Sequence, residues 1–127
     1  MWRKTVLAAV AVLSLAACGG SSARPELALK AAAQTHTDAI NDGDLDRVKQ
    51  HMSTRCLSEW DDTSLRETLT LIHTMYGEIT LKNVKVTRMN EKETRAHVEG
   101  TSGIEALDQG DGAWWVYENG TWRADDC

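Results

Sequence analysis

"GEITLKNVKV", residues 77–86, is where the apolar period of this chain changes. Before Gly77 the apolar residues recur every three to four positions, the spacing of one helix face. After it they recur every two, the spacing of a strand. Ile79 and Leu81 alternate with Thr80 and Lys82, and Val84 and Val86 continue in the opposite phase. A phase flip of that kind predicts a bulge or bend near Asn83 within one long strand. Helices first and an antiparallel sheet second is the order of an α+β domain, and that is the expected fold class.

Upstream, Leu29, Ala32 or Ala33, His36 and Ile40 mark a first helix. Pro25 suits its start, where the missing N–H costs nothing. Gly43 is placed to end it and Asp44 to cap the next. Leu45, Val48 and Met52 carry the second helix. "SLRE" at 64–67 reads as a capping box, followed by Leu65, Leu69, Ile72 and Tyr76 on one face and closed by Gly77. Downstream, residues 90–93 form a polar turn. Thr94, Ala96, Val98 and Gly100 then alternate with Arg95, His97 and Glu99, which puts His97 on a solvent face. Residues 102–112 read as a loop. Two last strands flank Asn119-Gly120, the strongest short hairpin signal.

Three helices followed by a bent antiparallel sheet resemble the nuclear transport factor 2-like superfamily, which includes the SnoaL-type cyclases. "AAAQTHTDAINDGDLDRV" at 31–48 is similar to that family's first two helices and their glycine-aspartate turn. "WWVYENGTWRADDC" at 114–127 is similar to the closing hairpin of small exported members. The resemblance covers residues 25–127 and implies a cone whose helices pack on the sheet. His36 stands where members often carry an aromatic residue. Such cones serve catalysis, ligand binding or association, so the fold does not give the function.

The N-terminus resembles a bacterial lipoprotein signal. Arg3 and Lys4 form a basic head, and residues 6–17 are apolar except for Ser14. That run is too short for a bilayer, which needs about 20 residues, and it has the length of a signal-peptide core. "LAAC" at 15–18 then matches the lipobox. The resemblance implies lipidation of the Cys18 thiol and cleavage before it. The expected organisation is a signal peptide at 1–17, a lipidated tether at 18–24 and one α+β domain at 25–127. With Cys18 acylated, Cys56 and Cys127 are left to pair in an oxidising compartment. The absence of CxxC or a nearby histidine pair speaks against a metal site.

Losing Arg3 and Lys4 changes the formal net charge from −5 to −7. An acidic domain does not suit nucleic acid or a bare anionic lipid surface. The expected membrane partner is therefore reached through lipid on Cys18.

Several residues carry possible chemistry. "DAINDGDLDRVK" at 38–49 resembles a calcium loop in composition, but Ile40 and Lys49 fall where oxygen ligands are required. Its aspartates read as a cap and a solvated turn. His36 lies on the apolar face and is either a packed core histidine or a pocket acid or base. With Tyr76 and Asp38 it forms the candidate pocket. His73 lies near Tyr76 on the third helix, and Asp61 and Asp62 read as caps. Alternation puts Trp114 and Trp115 on opposite faces. Trp115 and Trp122 are assigned to the core and Trp114 to a partner contact. Ile40, Val48, Leu69, Ile72, Ile79, Val84, Val86, Val98, Trp115 and Trp122 are expected to fill the cone. No cofactor or metal is expected. Two readings follow: a lipid-anchored, non-enzymatic binding module for an envelope protein, or a cone-pocket enzyme or carrier for a small apolar molecule.

Overall fold

The computed structural model describes residues 24–108 and 110–127, so the proposed signal peptide and Cys18 lie outside the described residues. Helix α1 spans Arg24–Asp42, α2 Leu45–Gln50, α3 Thr54–Glu59 and α4 Asp62–Tyr76. Strands β1 (Lys82–Met89) and β2 (Arg95–Thr101) follow, then a short α5 (Glu105–Asp108), β3 (Ala113–Glu118) and β4 (Thr121–Ala124). The sheet is open and antiparallel, in the order β1-β2-β3-β4. The α+β class expected from the change of period is what the structure has.

Local chemistry explains the boundaries. Gly43 takes φ 62° at the end of α1, a left-handed conformation that glycine adopts without steric cost. Asp44 then caps α2, its carboxylate accepting from the Arg47 N–H at 3.3 Å. The second helix breaks where one was expected. Its backbone from His51 to Ser53 is taken by the edge of the sheet instead: Ala124 N–H donates to the His51 carbonyl at 2.7 Å, and Ser53 N–H donates to the Ala124 carbonyl at 2.8 Å. The Ser53 hydroxyl, accepting from Cys56 N–H at 3.1 Å, starts α3. Ser64 is not the cap of α4. Asp61 accepts from the Ser64 N–H at 2.7 Å, and a carboxylate at a helix N-terminus also meets the helix dipole favourably.

The bend near Asn83 is present. Asn83 has φ 55°, and the β1–β2 register shifts between Lys82 and Lys85 and again between Val86 and Arg88. Ile79 and Leu81 precede the strand rather than belonging to it. Asn41 fixes that lead-in: its side chain accepts from Ile79 N–H and donates to the Ile79 carbonyl, each at 2.7 Å. The hairpin turn uses Asn119 and Gly120, both at positive φ, as the type I′ geometry requires.

The apolar side chains do not fill one cone. They form two clusters. Leu29, Ala33, Ala96, Val98, Trp115 and Trp122 pack α1 on the sheet. Ala39, Val48, Met52, Cys56, Leu65 and Leu69 pack the helices on one another. Of the residues expected to fill a cone, Ile40, Ile72, Ile79, Val84 and Val86 are only half-buried. Helix α1 feeds both clusters, and its His36 sits between Ala33 of the first and Ala39 of the second. Cys56 and Cys127 are joined with their Cα atoms 5.6 Å apart, which ties the last residue to α3.

Candidate functional site

His36 stands at the seam of the two clusters. Its ring meets the Trp115 ring edge-on at 5.7 Å and the His51 ring at 6.1 Å. Its Nδ1 is buried without a hydrogen-bond partner among the described residues. Burial, reinforced by His51, lowers its pKa from 6.5 to about 4, so the ring is neutral near pH 7. Burial, then Arg47 and Arg123, lower His51 as well.

Two clefts open on either side of His36. One, of about 270 Å³, runs between the helices and the disulfide, lined by Ile40, Trp60, Leu65 and Ile72 among others. Trp60 is 37% exposed on it. The other, of about 290 Å³, lies between α1 and the sheet, bounded by Leu81, Glu99, Leu107 and Trp115. Both walls are mainly apolar, suited to a small apolar body with few polar groups.

The rest of the expected pocket is not assembled. Asp38 is exposed and accepts from Gln34 Nε2 at 2.9 Å, a contact within α1. Tyr76 is half-buried at the end of α4 and lines neither cleft. His73 lines a separate surface cleft with Asn41 and Arg66.

The second candidate, Trp114, lies on the sheet face opposite Trp115 as alternation requires, but it is half-buried rather than bare. His97 pairs with it across the sheet, the rings 4.9 Å apart. Arg95 covers its face with Cζ 4.8 Å from the ring centroid. His97 itself corrects the expected solvent position. It is only 8% exposed, with Nδ1 2.7 Å from Thr87 Oγ1. The sheet's own far-face neighbours bury it: Trp114, Thr87 and the close approach of Gly112. A Cβ on Gly112 would collide with the Val98 carbonyl and lie 2.9 Å from His97 Cε1.

Sequence reading missed the polar node at Asp125. This carboxylate is 6% exposed. Oδ1 accepts from Ser53 Oγ at 2.6 Å and Arg55 Nε at 3.1 Å, and Oδ2 accepts from Arg95 Nη1 at 2.8 Å. Burial opposes its charge, but hydrogen bonds from Ser53, Arg95 and Arg55 outweigh that and hold its carboxyl below the usual range. Every bond here is internal, so the node binds the C-terminus to α3 and the sheet. Its place two residues before a cysteine expected to be bonded gave no pattern, because its partners are some 30 to 70 positions away.

No protein-family model matches the chain, and neither a curated protein nor a solved structure is similar to it at a significant level.

Proposed function

We propose that this is a lipid-anchored protein of an extracytoplasmic compartment whose domain binds a partner rather than turning over a substrate. The observation that carries this reading is the Cys56–Cys127 bond, since such bonds form and persist in oxidising compartments. The lipobox-like "LAAC" at 15–18 supplies the anchor, with cleavage before Cys18. Among the described residues no helix is long and apolar enough to cross a membrane. The helices-then-sheet order and the bend at Asn83 support a nuclear transport factor 2-like domain over residues 25–127. The separation of His36 from Asp38 and Tyr76 favours binding over acid–base work, which needs such groups within hydrogen-bond reach. Expression of the chain in a bacterium tests the reading. The wild type should fractionate with membranes, Cys18→Ser should not be processed, and globomycin, which blocks lipoprotein signal cleavage, should make the uncut form accumulate. A wild-type chain that is exported without lipid would overturn it.

A second reading is favoured by the unpartnered Nδ1 of His36 beside the apolar cleft with Trp60. The domain then carries a small apolar molecule with one polar group directed at His36. Titration with the neutral dye N-phenyl-1-naphthylamine checks it. Binding should be saturable and weakened by Trp60→Ala, and an absence of saturable binding would contradict it.

A further inference from the structure

The formal charge of −5 averages over the chain, and the far face of the sheet departs from it. Arg95, Val116 and Arg123 form one row across β2, β3 and β4. Arg88, His97 and Trp114 form the next across β1, β2 and β3. Lys85 lies further along β1, opposite Glu99. Lys85, Arg88 and Arg95 are exposed and Arg123 is half-buried. Among the described residues Lys85, Arg88 and Arg123 form no ion pair. Glu99 is exposed on this face beside Lys85, whereas the other two acids of the face are engaged. Asp125 is held by Ser53, Arg55 and Arg95, and Glu118 accepts from the N–H and hydroxyl of Thr54 at 2.6 and 3.1 Å. Guanidinium groups around a half-exposed tryptophan suit a layer where phosphate oxygens lie above an apolar boundary.

We propose that this face docks on anionic phospholipid headgroups. The inference rests on the lipid-anchored reading above, which supplies the proximity. The six residue-to-residue steps from Cys18 to Arg24 reach no further than about 20 Å. Pro25, next along the chain, lines a surface cleft with Lys92, Tyr117 and Trp122. That places the tether's attachment at the same end of the sheet as Arg95, Val116 and Arg123 but on its helix-covered face, an edge the tether is long enough to pass. A domain held so close meets the headgroups at high effective concentration. Each cation near an anionic membrane surface contributes about fivefold in partitioning, and salt screens it within a Debye length of about 10 Å.

The test uses protein purified from membranes and reconstituted into vesicles, either phosphatidylcholine alone or phosphatidylcholine with phosphatidylglycerol. Arginine modification by phenylglyoxal is read by peptide mass spectrometry. Arg88, Arg95 and Arg123 should react several-fold more slowly on the anionic vesicles than on the zwitterionic ones. High salt should erase the difference. Arg66, on α4, should react equally on both. The Arg88→Gln/Arg123→Gln variant should lose the protection of Arg95. Equal reactivity of the three arginines on both vesicles overturns the proposal, whether the face is then bare or covered by another protein. Retention on anionic vesicles alone would refute the lipid anchor and leave this proposal standing. Retention on neither refutes both.

Discussion

Ser53 Oγ donates to Asp125 Oδ1 at 2.6 Å, joining residues 72 positions apart. The same serine caps α3 by accepting from Cys56 N–H, and Cys56 is bonded to Cys127. One hydrogen-bonded pair thus links the start of a helix, the end of the sheet and the disulfide. Removing the acceptor leaves Ser53 and two arginines without their buried partner. Asp125→Ala is expected to lower stability by about 1–3 kcal/mol, the cost of leaving the buried Ser53 hydroxyl unpaired while the half-exposed arginines turn to solvent. Denaturant unfolding of the purified protein measures it. Asp126→Ala, at an exposed neighbour, should change stability by less than about 0.5 kcal/mol.

Acid should act through His36 before it acts through Asp125. Burial depresses the His36 pKa from 6.5 to about 4, so the unfolded chain binds its proton more tightly than the folded one. Stability from this group is complete above pH 6.5 and falls as the pH drops from 6.5 towards 4, by roughly 3 kcal/mol. Asp125, also depressed, adds a further loss only below its ordinary value of 3.8. Unfolding curves from pH 7 to 4 for wild type and His36→Leu should diverge, with the variant the flatter. Parallel curves would refute the buried, neutral imidazole.

The two adjacent tryptophans should behave differently. Trp115 is core, between α1 and the sheet, and Trp115→Ala should cost about 3–5 kcal/mol. Trp114 is half-buried, so Trp114→Ala should keep the fold and cost less, while releasing His97 and Arg95. Thermal unfolding of both variants checks the order. A reversed order would mean that the two faces are exchanged.

The link between α3 and the C-terminus should be felt in reduction. The bond spans 71 positions, and closing a loop of that size stabilises by about 4 kcal/mol in the chain-entropy model. Cys56→Ser is expected to lower stability by roughly 2–5 kcal/mol. Unfolding with and without dithiothreitol should show the same loss for wild type and none for the variant.

What was legible in the sequence was local. The period change after Gly77, the Asn119-Gly120 turn and the bend at Asn83 are each written within a few residues. So were the ends of α1 and α4, marked by Gly43 and Gly77. What the sequence hid depends on partners far along the chain. The break between α2 and α3 occurs because Ala124 takes the backbone of His51 and Ser53. His97 alternates with buried residues and yet is buried itself, because Trp114 closes over the second face of the sheet. The candidate pocket was only partly legible. His36 is on the apolar face as its spacing indicated, but helical spacing cannot say that Asp38 turns to Gln34 or that Tyr76 lies off the cleft. The Asp125 node had no sequence pattern, since its three donors come from α3, the residue before it and β2.

The mass of the N-terminal peptide of protein recovered from bacterial membranes tests the lipid anchor most directly. The expected chain begins at Cys18, its thiol carrying a diacylglyceryl group. An N-terminal peptide in which Cys18 is unmodified, or which begins at another residue, would contradict it.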